Sequence, residues 1–152
     1  MAKAFTFRLE TVLKLRKQRE DEQKRMVANR LREVQRARIR CGSLEEQIDV
    51  EIEVMRSSAL VGMIEAGRIA RHRHWLSHLN RQVLETEGDI RTLQAKLAME
   101  QSQLAEAAKE CNVLKKLKER QLDRYRRMLA KREQNESDEM TTMRYVYHRE
   151  AQ

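Results

Sequence analysis

The sequence predicts an all-α fold, a long antiparallel two-helix coiled-coil hairpin with an overhanging C-terminal helix. Its 152 residues include no Pro and 4 Gly, so the turns that sandwiches, barrels and α/β folds require are scarce. Aromatic residues make up 4% and charged residues 37%, which disfavours a compact core. The hydrophobic residues, at 40%, recur with a helical period, unlike those of a disordered chain.

The first predicted helix covers about residues 5–57. One heptad column comprises Val27, Val34, Cys41, Ile48 and Met55. The predicted companion column comprises Leu31, Arg38, Glu45, Ile52 and Ala59, with Ala37 and Leu44 beside it. Polar residues in such a seam fix register and orientation at a cost in stability.

The turn is predicted at about 57–67, where Ser57, Ser58, Gly62 and Gly67 cluster near a break in the heptads.

The second predicted helix covers about 68–138 and carries the more regular heptads. One column comprises Ile69, Leu76, Val83, Ile90, Leu97, Leu104 and Cys111. Its companion comprises His72, Leu79, Thr86, Leu93, Glu100, Ala107 and Leu114. Such a strip over many turns indicates a coiled coil. The pattern then slips to Leu122, Tyr125 and Leu129. We expect a frayed tail to 152 and one domain over 1–152.

Helices joined by a short turn pack antiparallel. With the turn near 62, residues whose numbers add to about 124 face one another, so Ile48 lies near Leu76 and Val27 near Leu97. Residues after Leu114 overhang. Cys41 and Cys111 do not match in this register, and we expect two buried thiols and not a disulfide.

The net charge of +8 is unevenly placed. Basic residues dominate from Lys14 to Arg40 and from Lys115 to Arg132, whereas 45–53 is acidic. In the hairpin both basic stretches lie at the end that carries the termini, which predicts an acidic partner there.

The sequence favours no catalytic chemistry. It has no nucleophile elbow, phosphate-binding Gly loop or HExxH pattern. His74 and His78 are four residues apart but lack a third ligand at helical spacing, and His72 lies off their face. We therefore expect no enzyme, no cofactor and no metal. No apolar run of about 18 residues or secretory signal is present, and the two cysteines suit a reducing cytoplasm.

Two questions remain open at this point, the function class of the chain and the role of Trp75. The chain is also compatible with a basic coiled-coil adaptor for nucleic acid or an anionic membrane surface, although no nucleic-acid motif is present. Trp75 is equally compatible with capping the seam and with a binding hot spot.

The N-terminal motif Phe5-x-Phe7-x-Leu9-x-x-Val12-Leu13-x-Leu15-Arg16, followed by Arg19-Glu20-Asp21-Glu22, resembles the start of the flagellar FliJ family. The length, the two-helix pattern and the tail from Lys131-Arg132-Glu133-Gln134 to Asp138-Glu139 are similar too. The resemblance implies a non-catalytic rod of the flagellar type III export apparatus. Its termini end would enter the pore of the hexameric ATPase FliI, as the γ subunit enters a rotary ATPase.

The resemblance also implies contact with the export gate FlhA, escort of export chaperones, no nucleic-acid partner, and a cytoplasmic place peripheral to the inner membrane at the flagellar base. The equivalent stalk of a virulence secretion system shares the architecture. The implied gate contacts are Trp75, Leu79 and Gln47, although His72 stands where the family often has an aromatic residue. The implied ATPase contacts are Phe5, Phe7, Leu9, Arg16, Arg124, Arg126 and Arg127.

Overall fold

The computed structural model describes residues 5–60 and 65–150, and over this range the chain forms two long helices that pack together. Helix α1 spans Glu10–Leu60 and helix α2 spans Ala66–Glu150. No strand occurs within these residues, so the all-α prediction is confirmed. Neither helix, over the same residues, contains a stretch long and apolar enough to cross a membrane.

Helix α1 is shifted relative to its predicted bounds of 5–57. Its first turn is set by the N–H of Glu10, which donates to the Phe7 carbonyl at 3.1 Å. The C-terminal end extends to Leu60 because two serines remain helical. The Ser57 hydroxyl donates to the Glu53 carbonyl at 2.9 Å, and the Ser58 hydroxyl donates to the Val54 carbonyl at 2.8 Å. Such bonds to the preceding turn satisfy a serine hydroxyl within the helix.

Helix α2 is longer than predicted at both ends. Gly67, which we expected in the turn between the helices, lies in the first helical turn of α2. There the N–H of Arg68 donates to the Glu65 carbonyl at 2.9 Å. Residues 61–64 of the predicted turn, including Gly62, lie outside the described residues. The expected fraying after 138 is replaced by helix to Glu150. Thr141 and Thr142 donate hydroxyl bonds of 2.8 Å to the carbonyls four residues earlier.

The contacts within the chain form two units. The terminal unit combines Met1–Glu20 with Ala107–Gln152, and the middle unit is Asp21–Glu106.

In the middle unit, the predicted seam of α2 is confirmed. All residues of both α2 columns, from Ile69 to Leu104 and from His72 to Glu100, are half-buried or buried, whereas most residues between them are exposed. Leu79 is 1% exposed and is the most buried residue of this unit.

The first α1 column is also confirmed, but its predicted companion is wrong. Leu31, Arg38, Glu45, Ile52 and Ala59 are all exposed. The seam uses the residues one position earlier, which are Arg30, Ala37, Leu44, Glu51 and Ser58. Leu44 is buried, and Arg30 and Glu51 are acceptable in the seam because each meets a polar partner on α2. Sequence hydrophobicity therefore favoured the wrong column.

The polar pairs of the middle unit show that its helices are antiparallel. Glu51 contacts Nδ1 of His72, 21 residues away, and Arg30 binds Glu100, 70 residues away. Nη2 of Arg30 lies 3.0 Å from Oε1 of Glu100, and Nε donates to both carboxylate oxygens at 3.3 Å. Side chains lean toward the N-terminus of their own helix, so Arg30 reaches a residue farther along α2 than the position directly opposite.

The terminal unit has an apolar core. Phe7, Leu13 and Cys111 are buried together, and Phe5 and Leu114 pack against them. The Phe5 ring lies 5.7 Å from the Tyr125 ring at an interplanar angle of 44°. Two ion pairs flank this core, Lys118 Nζ with Glu10 Oε2 at 2.7 Å and Arg16 with Glu110. These contacts connect the start of the chain to α2 in antiparallel order.

Both cysteines are free and buried, as the register predicted. Burial raises the pKa of the Cys111 thiol, and a hydrogen bond with Glu20 raises it further, while Lys115 opposes the shift. Burial is also the main cause of the raised pKa of Cys41, with Glu45 and Glu87 adding to it. Both thiols are therefore held in the neutral form.

Candidate interaction sites

The N-terminal residues implied as ATPase contacts occupy two environments. Phe7 is buried in the core of the terminal unit, and Phe5 is half-buried against Tyr125. Leu9 is 37% exposed. The two aromatic residues of the N-terminal motif therefore hold α1 against α2, and Leu9 is the apolar member of the set with side-chain surface available to a partner.

The implied arginine contacts also differ. Arg16 is partly buried, and its charge is compensated by Glu110. Arg124, Arg126 and Arg127 are exposed, and within residues 5–60 and 65–150 none of them has a carboxylate partner. Residues 107–132 contain ten Lys or Arg and three Asp or Glu. This part of the terminal unit therefore presents positive charge that its own acids do not compensate.

Trp75 lies on the surface of the middle unit. It is 46% exposed, and its ring stacks on His78 with centroids 5.6 Å apart and an interplanar angle of 29°. The α1 side chains Ser43, Glu46, Gln47, Val50 and Glu51 line a shallow groove with it. Gln47 and Trp75, whose numbers add to 122, therefore lie close together, as the predicted antiparallel register requires. We call this surface the Trp75 groove.

Leu79 lies one turn from Trp75 but points into the seam. Because it is 1% exposed, its side chain has no surface for a partner to contact. Its position indicates that it supports the turn that carries Trp75. His72 is likewise engaged within the middle unit, where it contacts Glu51.

Sequence reasoning missed two residues beside Trp75, the stacked His78 and the groove-lining Val50. His78 lies three residues after Trp75, a spacing that places two residues on the same helix face. Val50 lies three residues after Gln47 and is 63% exposed, so the same spacing argument on α1 identifies it. No group of three or more His, Cys, Asp or Glu side chains among the described residues is arranged to hold a metal ion.

The family model described as Flagellar FliJ protein matches residues 5–150. The chain belongs to the FliJ family. It is therefore a component associated with flagellar type III export, and the FliJ family is a non-catalytic part of that apparatus. No curated protein and no solved structure gives a significant match to the chain.

Proposed function

We propose that this FliJ-family protein inserts its terminal unit into the central pore of the hexameric export ATPase FliI and stimulates it. In this proposal it acts in the cytoplasm, reaches the inner membrane through its partners, contacts the export gate FlhA and escorts export chaperones. The observation that carries the ATPase contact is the exposed cluster of Arg124, Arg126 and Arg127, which has no carboxylate partner among the described residues.

The chemistry of this cluster suits docking into an acidic ring. Exposed arginines remain hydrated before binding, offer several N–H donors each and attract a carboxylate-rich surface over long range. The Phe5 ring packs against Tyr125, which lies between Arg124 and Arg126, and so connects this turn of α2 to the start of the chain. A ring lined with carboxylates would therefore gain charge pairs with little rearrangement of the terminal unit.

The test of the ATPase contact is the triple variant R124E/R126E/R127E, measured as stimulation of the purified ATPase. We expect stimulation to fall at least about tenfold, since several charge pairs become repulsive. The matched control is R71E/R73E/R81E, which changes the net charge equally at exposed residues of the middle unit. We expect the control to stimulate normally, and circular dichroism should show both variants helical.

Two outcomes would contradict the ATPase contact. Equal losses in both variants would mean that net charge, and not this cluster, governs stimulation. Tight, salt-sensitive binding of the wild-type chain to DNA or anionic vesicles, without ATPase binding, would favour the adaptor interpretation.

The proposed gate contact uses the Trp75 groove. A half-exposed Trp over a shallow groove is a common form of binding hot spot. We expect Trp75→Ala to weaken binding of the gate's cytoplasmic part by about tenfold or more. Leu84→Ala is the matched control, because Leu84 is 66% exposed on the same helix. A large loss of thermal stability in Trp75→Ala would show instead that Trp75 serves the seam.

A further inference from the structure

The C-terminal part of α2 carries an apolar face that the described chain does not cover. Every described side chain from Ala130 to Arg149 is exposed. Met140, Met143, Val146 and Tyr147 nevertheless recur at the three- and four-residue spacing that places them on one helix face. Tyr147, the most exposed, is 81% accessible. We call these four residues the tail stripe.

The tail stripe continues an interface that is already present in the terminal unit. Leu122, Tyr125 and Leu129 are partly buried on α2 in that unit. The helix face that carries these residues continues along α2 at the same spacing of three and four residues. It includes Glu136 and then Met140, Met143 and Tyr147. The side of α2 that is partly buried at residues 122–129 is therefore apolar again in the tail. There the described chain offers it no partner.

The charges around the tail stripe identify what would cover it. Glu133, Glu136, Asp138 and Glu139 precede the stripe's centre, whereas Arg144, His148 and Arg149 follow it. Two copies in parallel would place four acids against four acids. Two copies in antiparallel order, with the two-fold axis between Met140 and Met143, place Met140 of each copy level with Met143 of the other and the acidic part of each copy against the basic part of the other. Glu139 of one copy then lies level with Arg144 of the second copy, and Glu133 lies one residue from the level of Arg149.

We propose that the tail stripe is the contact surface of an antiparallel homodimer formed by two copies of residues 133–149. The self-complementary charges give the interface its two-fold symmetry, which is the commonest symmetry of soluble homo-oligomers. One helix face of this length is smaller than a standard interface of about 1,200–2,000 Å² in total. The dimer is therefore weak and concentration-dependent. The proposal uses residues other than those of the ATPase and gate contacts, so either can fail alone.

The experiment is sedimentation velocity of the full chain over a concentration series, with two complementary variants. The first is E133K/E136K/E139K and the second is R144E/R149E. Each variant has like charge on both sides of the stripe, so we expect each alone to raise the dimer dissociation constant at least about tenfold. In an equimolar mixture the lysines of the first variant meet the glutamates of the second, and we expect the dimer to return.

Matched controls distinguish an effect of the tail stripe on dimerisation from an effect of net charge. E45K/E46K/E85K and R71E/R81E change the charge equally at exposed residues of the middle unit, and both should dimerise as the wild type does. M140Q/M143Q should weaken the dimer without changing any charge. The proposal is overturned if the wild type stays monomeric up to about 1 mM. It is also overturned if the two variants dimerise normally when separate, or if their mixture associates no better than either alone.

Discussion

The terminal and middle units use the same two helices but hold them together by different chemistry. The terminal unit packs Phe7, Leu13 and Cys111 into an apolar core. The middle unit alternates apolar residues such as Leu79 with polar pairs, Arg30 with Glu100 and Glu51 with His72. Apolar burial supplies most of the stability of a helix pair, whereas polar pairs mainly determine which residues face each other.

This difference suits the proposed roles. A unit that docks into a ring needs a rigid support for its exposed arginines, and the Phe5–Tyr125 contact beside them provides it. A unit with a narrow two-helix seam needs protection against slipping by one heptad, since a heptad slip restores much of the apolar contact. The Arg30–Glu100 pair opposes such a slip, because moving either helix by seven residues would leave the Glu100 carboxylate in the seam without Arg30 and would leave Arg30 with only Glu33 of its own helix.

The largest expected effect tests the apolar core of the terminal unit. Phe7→Ala removes a buried aromatic ring and should lower the free energy of unfolding by about 3 kcal/mol. Leu9→Ala, at a 37% exposed residue of the same segment, is the control and should cost under about 1 kcal/mol. Urea denaturation followed by circular dichroism measures both. Similar losses in the two variants would show that Phe7 is not the main packing residue.

A smaller effect tests the polar seam of the middle unit. Glu100→Gln removes the charged partner of Arg30 in the seam. Arg30 then keeps only Glu33 as a charged partner, to which its Nη1 already donates at 2.6 Å. We expect a loss of about 1–2 kcal/mol. The double variant R30L/E100L should recover that loss, since apolar replacements of a buried pair are often neutral or stabilising.

The same double variant also tests register. Cysteines introduced at Gln47 and Trp75, which line one groove, should cross-link readily when the natural cysteines are replaced by alanine. In the R30L/E100L background we expect a lower yield of this cross-link, because the pair that excludes slipped registers is absent. An unchanged yield would show that the apolar columns alone determine the register.

The smallest expected effect concerns the two thiols, one in each unit. Their pKa values are raised in the folded chain, so the folded state retains its thiol protons to higher pH than the unfolded state. The resulting stability is fully present below the unfolded thiol pKa of about 8.5. It is lost as pH rises through the higher folded values.

Thiol modification provides the measurement. At pH 8, an aromatic disulfide reagent should modify the native chain at least about tenfold more slowly than the urea-unfolded chain. Cys41→Ala isolates Cys111, which is 0% exposed and should react more slowly than Cys41 isolated by Cys111→Ala. A native chain that reacts as fast as the unfolded one would contradict the burial of both residues.

Much of the fold followed from the sequence because heptad spacing reports helix faces directly. The α2 columns and the Val34–Cys41 column were predictable, and so was the family, because the N-terminal motif carries it. The second α1 column was not predictable from hydrophobicity, since Leu31 and Ile52 are exposed while Arg30 and Glu51 face α2. The described helices extend past the predicted bounds, and the serine and threonine hydroxyls in these extensions bond to the carbonyls four residues earlier.

The candidate sites were predictable only in part. The pairing of Gln47 with Trp75 followed from antiparallel register. The burial of Leu79 and Phe7 did not follow, because a family motif does not distinguish a residue that supports a surface from one that forms it. Whether the predicted residues contact an ATPase or a gate stays a prediction, and the paired variants above separate the contacting residues from the supporting ones.

The exposed end of α2 has a consequence for local opening. Residues up to Leu129 already lie in a packed helix, so residues 130–149 extend an existing helix and avoid the unfavourable nucleation step. Their amide hydrogens are nevertheless protected only by bonds within the helix, whereas those around Cys111 are also shielded by packing. Hydrogen exchange should therefore slow progressively along α2 from Arg149 toward Cys111, although the helix is continuous.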